Sequence, residues 1–297
     1  MSDTLHKRIP WFAGLLSLAC TGLGHIYCGR PAKGIILFLL CFSYYPAMAA
    51  AMSGAPSQTG LWTICAVTAF VLGVFLYAIV NAVLLARRTG PGYAPVRWNR
   101  WYVYLLFILL GLVHIPVASL VRNTVAHPFK IVSVSMAPNF VPRDHIFAKP
   151  GAYSHEPVRR GDAVVFQPPE DERYFIKRVV ALAGDTVAVT SGRLVLNGQA
   201  LPYSDETPDA NPEAVLVREH NADASYLVRL RLDPTVPDFP PMTVPAGHCF
   251  LLGDNRDASM DSRQFGPIRL EKVLGRVDYI YLPGHDWSRF GPVLNSP

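Results

Sequence analysis

Two serines separated by one residue stand out in the stretch Lys130–Phe140, which reads KIVSVSMAPNF. Ser133 and Ser135 follow shortly after a long apolar region of the chain. A serine hydroxyl is a weak nucleophile until a neighbouring base takes its proton. Residues two apart on a strand point to the same face. The pair is therefore either the polar face of a strand or one half of an active site.

Lys177 is the best candidate for the base that such a serine needs. It lies in the β-rich run RYFIKRVVAL, beside Ile176 and close to Val179. A lysine in water has a pKa near 10.4, whereas a general base at neutral pH needs a pKa of about 7–8. Burial lowers the pKa of a lysine, so Lys177 suits proton transfer if it is buried. If Lys177 faces solvent, as most lysines do, it has no such role.

Histidine and cysteine offer alternative reactive groups. A Ser-His-Asp arrangement would use one of the histidines of the β-rich part, which are His127, His145, His155, His220, His248 and His285. None of them stands in a recognisable triad motif such as the nucleophile elbow. Cys249 follows His248 on a predicted strand, so the two side chains point to opposite faces and do not form a dyad.

The stretch Gly253–Ile268, GDNRDASMDSRQFGPI, has closely spaced acidic residues that suggest a calcium loop. Arg256 and Ala258 occupy the third and fifth ligand positions of such a loop, and no glutamate closes it. The sequence also has no phosphate-binding glycine loop. We therefore expect no metal, nucleotide or other cofactor.

The elements that must position these residues are strands. From about Phe129 onward, short runs of β-branched and aromatic residues are separated by Gly, Pro and Asp, and helical periodicity is nearly absent. The run VTSGRLVLNG predicts a hairpin that turns at Ser191-Gly192. Residues 202–241 are rich in Pro, Asp, Glu and Asn, which predicts an excursion of loops with one hairpin. The fold class predicted here is a mainly β domain, a barrel or a sandwich.

Long apolar stretches precede the β-rich part. A helix needs about 20 residues to cross a hydrocarbon layer of roughly 30 Å. The stretches 34–52, 61–86 and 101–121 are long enough, whereas 11–27 is shorter and either crosses or dips into the membrane and returns. We predict an α-helical membrane region of three to four spans over residues 1–124, followed by an exported domain over residues 125–297.

The charges support one orientation. Up to Lys130 the chain has ten Lys and Arg residues and only Asp3 as an acid, whereas the remainder has 17 basic and 21 acidic residues. The basic excess therefore belongs to the membrane region and is no argument for nucleic acid. The loop Ser53–Gly60 is uncharged and the loop Arg87–Arg100 contains four arginines. The positive-inside rule places the second loop in the cytoplasm and everything after about Val121 outside.

Four motifs occur along the β-rich part, and they are SVSMAP (Ser133–Pro138), RRGDAVVF (Arg159–Phe166), YFIKRVVALAGD (Tyr174–Asp185) and the Gly253–Ile268 stretch. In this order they resemble the motifs of type I signal peptidases (leader peptidases), over about residues 129–282. One such short motif is a weak signal. Four in order make a coincidence improbable.

The resemblance implies a Ser-Lys dyad on a signal-peptidase-like β fold. Ser135 would be the nucleophile and Lys177 the general base. The backbone N–H of Ser135 and the hydroxyl of Ser133 would form the oxyanion hole. Ser259 would hydrogen-bond the ammonium group of Lys177 and hold it in place.

The resemblance also implies supporting and substrate-binding residues. Asp261 and Arg263 would pair to fix their segment, Gly253 would permit close backbone approach, Asp254 would be structural, and Met136 would pack under the site. The residues that would line shallow apolar substrate pockets are Phe129, Ile131, Val132 and Ile176. Each of these four is equally compatible with an ordinary core position. The chain departs from the family at Asn139-Phe140, where Thr-Leu is usual, and at Ala258, where Asn is usual.

The activity implied is that of a membrane-bound serine endopeptidase that cleaves signal peptides after small residues, as in A-x-A sites. Its partners would be exported precursor proteins and the lipid bilayer, with no nucleic acid. Its location would be the bacterial cytoplasmic (inner) membrane, with the catalytic domain on the outer face. Two alternatives stay open: a narrow-specificity peptidase that matures a pilin-like or plasmid-transfer substrate, and a non-catalytic membrane binding protein.

Overall fold

A computed structural model describes residues 7–52, 57–90, 93–154, 156–169, 171–233 and 237–293. The chain divides into two compact units. The first comprises residues 1–55 and 59–122, and the second comprises residues 56–58 and 123–297. The first unit is helical and the second is mainly β, which confirms the predicted fold class.

The first unit consists of apolar helices. Their bounds are Pro10–Ala19 (α1), Leu23–Tyr27 (α2), Pro31–Phe42 (α3), Tyr44–Met52 (α4), Gln58–Arg88 (α5), Trp101–Leu112 (α6) and His114–Thr124 (α7), the last running past the unit's end. By length and composition, three helical stretches could cross a membrane: Pro31–Ala51, Gln58–Arg88 and Trp101–Thr124. They coincide with the three longer apolar stretches of the sequence.

The shorter apolar stretch, 11–27, is broken into two helices. Between α1 and α2, Gly22 has a φ of 90°, in the left-handed region. A Cβ on Gly22 would lie 2.0 Å from the carbonyl oxygen of Gly34, so only glycine permits this close turn. With ten residues, α1 falls well short of the length of a membrane span. The described helices therefore provide three candidate spans.

The second unit contains fifteen strands among its described residues. They are His127–Lys130 (β1), His145–Pro150 (β2), Ala163–Phe166 (β3), Phe175–Leu182 (β4), Thr186–Thr190 (β5), Arg193–Leu196 (β6), Gln199–Ala200 (β7), Tyr203–Pro208 (β8), Ala214–Asn221 (β9), Ala224–Arg231 (β10), Phe239–Thr243 (β11), His248–Leu252 (β12), Ile268–Arg269 (β13), Val273–Leu282 (β14) and Gly291–Pro292 (β15). A short helix, Ser262–Phe265 (α8), precedes β13.

These strands form three antiparallel sheets. The largest has eight strands in the order β1-β2-β14-β3-β4-β12-β13, with β15 paired to β14. A four-stranded sheet has the order β11-β5-β6-β7, and a three-stranded sheet has the order β10-β9-β8. The strand that carries Lys177, β4, lies inside the largest sheet, between β3 and β12.

The predicted hairpin at Ser191-Gly192 is confirmed. It joins β5 to β6, and both turn residues have positive φ, 51° and 73°, as a two-residue hairpin turn requires. The prediction for residues 202–241 is wrong in part, because β8, β9 and β10 form a sheet instead of loops with one hairpin. The polar sequence YSDETP of β8 is mostly exposed, and such an edge strand lacks the apolar alternation that predicts strands.

Candidate active site

The segment that carries the two serines is not a strand. The first strand, β1, ends at Lys130, and a turn begins after Ser133. The expectation that strand alternation places Ser133 and Ser135 on one face is therefore wrong. Backbone bonds from Ile131 N to the Asp144 carbonyl and from Arg143 N to the Ile131 carbonyl, both 2.8 Å, hold the start of the segment instead.

Buried apolar side chains hold the turn that carries Ser135 against the largest sheet. Met136 and Phe140 are both fully buried and pack with Ile131 in one cluster of the largest sheet. The Phe140 N–H donates to the Met136 carbonyl at 2.9 Å. Met136 thus packs at the place that the resemblance implied, and Ser135 sits directly before it with 6% of its surface exposed.

Lys177 reaches Ser135 from the neighbouring strand β4. Its Nζ lies 2.7 Å from Ser135 Oγ and 3.1 Å from the Ile176 carbonyl oxygen. Only 3% of Lys177 is exposed. The structure therefore brings together the two residues that the sequence singled out, within direct proton-transfer distance.

Burial determines the protonation of Lys177. It lowers the pKa of Lys177 to about 8, although the carboxylates of Asp261 and Asp254 act in the opposite direction. Since an uncharged amine is needed to accept a proton, this value makes Lys177 a usable base just above neutral pH.

The two groups expected to form the oxyanion hole lie side by side. The Ser135 N–H donates to Ser133 Oγ at 3.1 Å. A substrate carbonyl oxygen that accepts from both groups must replace this bond, because one N–H cannot serve both oxygens fully. Rotation of the exposed Ser133 side chain is the simplest way to open the position.

Gly253 lies against the nucleophile. A Cβ on Gly253 would lie 2.5 Å from the carbonyl oxygen of Ser135 and 2.2 Å from Ser259 Oγ. The close backbone approach expected at Gly253 is therefore present. Its N–H donates to Asp261 Oδ2 at 3.0 Å, and Asp261 forms the expected ion pair with Arg263 at 2.8 Å.

Ser259 differs from its expected contact. Its hydroxyl was expected to hydrogen-bond Lys177, but Ser259 Oγ is buried and has no hydrogen-bond partner among the residues that the structure describes. The Nζ of Lys177 is directed to Ser135 Oγ and the Ile176 carbonyl instead. The Ser259–Lys177 hydrogen bond is thus absent from this arrangement.

Asp254 has a structural position, as expected. It accepts from Arg178 in a two-pronged ion pair with distances of 2.7 and 2.6 Å, and both side chains are almost fully buried. Asn139, at one of the positions that depart from the family, also donates to Asp254 at 2.7 Å. This links the turn of the nucleophile to the strand of Lys177, since Arg178 follows Lys177 on β4.

A cavity of about 280 Å³ opens onto Ser135 and Lys177. All four expected pocket residues line it, together with Ser133. The lining residues that the sequence did not indicate are Lys130, Ile146, Val165, Arg173, Tyr174, Phe175, Ala258 and Met260. Of these, Tyr174 and Phe175 directly precede Ile176 in the third motif. Their place in that motif could have identified them as lining residues from the sequence.

The alternative nucleophile and base find no support in the cavity. Within the described ranges, no histidine lines it, and His155 lies outside the described residues. Cys249 is fully buried, and burial raises the pKa of its thiol to about 12. Its thiol therefore stays protonated and unreactive at neutral pH. Among the described residues, no group of three or more His, Cys, Asp or Glu side chains is placed to hold a metal ion.

Comparison with known proteins identifies the family. The sequence profile described as "Signal peptidase, peptidase S26" matches residues 99–282, more than half of the chain. A probable signal peptidase I-1 of Synechocystis is 32% identical over 71% of this chain and 96% of its own length. Signal peptidase I of Pseudomonas aeruginosa is 34% identical over 61% of this chain and 67% of its own.

Among solved structures, signal peptidase I of Enterococcus faecalis is 29% identical over 41% of this chain and 97% of its own, with a TM-score of 0.27. The family assignment rests on the profile match and the two relatives, and not on this structure. The chain belongs to the signal peptidase family, peptidase S26.

Proposed function

We propose that this signal peptidase cleaves exported precursors after small residues with Ser135 as nucleophile and Lys177 as general base. The observation that carries the proposal is the 2.7 Å distance between Lys177 Nζ and Ser135 Oγ inside a buried site. An amine this close and this poorly hydrated takes a hydroxyl proton without help from histidine.

The reaction follows from the positions of these groups. Ser135 Oγ attacks the scissile carbonyl carbon while its proton passes to Lys177 Nζ. The carbonyl oxygen becomes an oxyanion that accepts from the Ser135 N–H and the rotated Ser133 hydroxyl. Lys177 then protonates the leaving amine as the C–N bond breaks, which leaves an ester on Ser135. Lys177 then takes a proton from a water molecule, whose oxygen attacks the ester carbonyl carbon. The C–O bond to Ser135 breaks, Lys177 returns the proton to Ser135 Oγ, and the signal peptide leaves with a carboxylate end.

The cavity supports selection of small side chains. Phe129, Ile131 and Ile176 contribute apolar side chains to the lining of the cavity that opens onto Ser135. Val132, which is 82% exposed, lies at its rim. We expect these apolar walls to favour small side chains beside the scissile bond, as in A-x-A-like sequences.

The membrane arrangement that we propose is a helical anchor over residues 1–124 and an exported peptidase domain over residues 125–297. The location is the bacterial cytoplasmic membrane, with the peptidase on the outer face. Two observations support it: three described helices could span a bilayer, and Asp3 is the only acidic residue before Lys130. A helical membrane anchor would keep the enzyme beside signal peptides, whose apolar segments stay in the bilayer.

The proposal is tested by Ser135→Ala and Lys177→Ala in the full-length enzyme, with Lys272→Ala as the matched control at an exposed lysine. Cleavage of one precursor is followed by mass spectrometry, which also gives the cleavage position. Both site variants should lose cleavage while remaining folded, and the control should match the parent. Parent activity should rise with pH and reach half of its plateau near pH 8, following deprotonation of Lys177. Near-normal turnover by Lys177→Ala at pH 8 would rule out the dyad.

A further inference from the structure

The three-stranded sheet β8–β10 is joined to the segment that borders the dyad. This segment, Gly253–Arg263, is called the support segment below. The Arg229 N–H of β10 donates to the Asp254 carbonyl at 2.8 Å, and the Arg256 N–H donates to the Arg229 carbonyl at 3.1 Å. These bonds form a short parallel bridge between Arg229 and Asn255. The sheet is therefore part of the framework of the site.

A buried ion pair strengthens this junction. Glu219 of β9 accepts from Arg256 Nη2 at 2.7 Å, and the exposed fractions of the two side chains are 0% and 1%. The hydroxyl groups of Tyr203 and Tyr226 also donate to the Glu219 carboxylate. Burial alone would raise the pKa of Glu219, but Arg256 and the hydroxyl groups outweigh it and keep the pKa below its usual value. Glu219 is therefore charged at neutral pH.

Arg256 also makes hydrogen bonds to the support segment and to the β5–β6 turn, in addition to its ion pair with β9. Its Nε donates to the Gly253 carbonyl at 3.2 Å, and its Nη1 donates to the Gly192 carbonyl in the β5–β6 turn at 3.1 Å. Its own carbonyl accepts from Arg263 at 2.6 Å. A guanidinium group fixes several partners in one plane, so its orientation sets the position of Gly253.

The support segment in turn holds the nucleophile. The Asn255 N–H donates to the Ser135 carbonyl at 3.1 Å, and Asn255 Nδ2 donates to the Val134 carbonyl at 3.3 Å. Gly253 fits against the same Ser135 carbonyl with no room for a side chain. Any shift of Arg256 is therefore transmitted through its neighbour Asn255 to the backbone of Ser135.

We propose that Glu219 is a positioning residue for signal-peptide cleavage. By holding Arg256, its carboxylate keeps the support segment in the place that sets Ser135 opposite Lys177. Glu219 lies outside the four motifs that identify the family, in the part of the chain between Pro202 and Pro241. The inference rests on the proposed Ser-Lys function, because it assigns Glu219 no contact with substrate.

The test compares Glu219→Leu and Glu219→Gln with Asp205→Asn in the full-length enzyme. Asp205 provides the matched control, since it forms an ion pair with Arg218 at 2.8 Å in the same sheet but is 62% exposed. The values of kcat and KM are measured on one precursor and normalised to folded enzyme. Glu219→Leu should lower kcat by about 10- to 100-fold with KM within about twofold, because sub-ångström misplacement acts on the reacting atoms and not on the pocket. Glu219→Gln should fall between it and the parent, and Asp205→Asn should equal the parent.

A double variant separates positioning from plain stability. Glu219→Leu leaves the charge of Arg256 buried and unpaired, which is strongly destabilising. Adding Arg256→Met removes that charge, so the double variant should recover its unfolding midpoint. It should keep the low kcat, since the Gly253 carbonyl then loses the donor that Arg256 Nε supplies. Recovery of kcat together with stability would overturn the proposal, as would parental kcat in folded Glu219→Leu. If Ser135→Ala still cleaved, the Ser-Lys function itself would fail, which is a distinct outcome.

Discussion

At the scale of single residues, the chemistry depends on where one amine is placed. Lys177 lies on strand β4 inside the largest sheet and is only 3% exposed, whereas Lys272 in the same unit is exposed. Both are lysines with the same intrinsic acidity, so the difference in surroundings alone makes one of them a base.

The buried hydroxyl of Ser259 shows that burial in the site does not by itself give a group a partner. Its position beside Gly253 is fixed by packing, while its hydrogen-bonding capacity is not used by any described residue.

The burial of Lys177 should lower the stability of the enzyme below pH 8. At pH 7 Lys177 is charged in the folded and the unfolded chain, and the folded state bears the free energy of desolvating that charge. From about 8 up to about 10.5 the folded chain has lost the proton while the unfolded chain keeps it, so stability rises with pH across this window. Lys177→Met should therefore be inactive and more stable than the parent, by about 1–3 kcal/mol at pH 7.

This prediction is checked by thermal unfolding of the full-length enzyme at a series of pH values. The advantage of Lys177→Met should be constant below pH 8 and should shrink as the pH approaches 10.5. Ser135→Ala serves as the control, because it is inactive but retains the amine, so its stability should follow the parent at every pH. An equal midpoint for Lys177→Met and the parent at pH 7 would mean that the amine is hydrated.

At the scale of elements, the site is made where a strand, a turn and the support segment meet. Lys177 could be singled out from the sequence because it lies within the strongly apolar run of β4, whereas its burial became clear only from the fold. The turn at Ser133–Ser135 was not predictable, because β-branched residues in IVSV favour a strand locally, and the anchoring of Met136 and Phe140 overrides that preference.

The contacts that the sheet β8–β10 makes with the site could not be predicted from the sequence either. Glu219 and Arg256 are 37 residues apart, and their ion pair depends on a tertiary arrangement that no local pattern encodes. The same holds for the hydrogen bond between Asn139, which follows the first motif, and Asp254 of the fourth. Motif order revealed which residues belong to the site, whereas the contacts that hold them in register came only from the fold.

The close fit of the support segment should make Gly253 intolerant of any side chain. In Gly253→Ala the new Cβ would lie 2.5 Å from the Ser135 carbonyl oxygen, so the backbone of one of the two segments must shift. We expect kcat to fall by about 100-fold, since displacement of about 1 Å has effects of that size. Steady-state kinetics on one precursor measures the loss.

The control for this substitution is Gly73→Ala, at a helical glycine of α5 with open space where the Cβ would be. It should leave kcat unchanged, because alanine is favourable in a helix and meets no neighbour there. If Gly253→Ala retained the parental kcat, the backbone approach of Gly253 to Ser135 would have no part in placing the nucleophile.

At the scale of the whole molecule, the two units differ in charge, which supports the different surroundings proposed for them. The helical unit has only basic charged residues within its described ranges, while the β unit has carboxylates throughout. Phospholipid headgroups and the membrane potential favour basic residues on the cytoplasmic side, and the proposed direction of the helices rests on this preference. The residues after Thr124 and the loop between α5 and α6 would lie on opposite sides of the membrane only if Trp101–Thr124 crosses it completely.

Cysteine labelling of membrane vesicles tests this orientation. Cys20, Cys28, Cys41 and Cys249 are buried, so replacing the half-buried Cys65 by alanine gives a background with low labelling. Lys272→Cys then reports on the β unit and Arg97→Cys on the loop between α5 and α6, and both positions are exposed. A membrane-impermeant maleimide should label Lys272→Cys in right-side-out vesicles and Arg97→Cys in inside-out vesicles, with both labelled after detergent treatment as the control for reactivity. Labelling of both positions from the same side would mean that Trp101–Thr124 does not span the bilayer, and a signal peptidase so arranged could not meet translocated precursors.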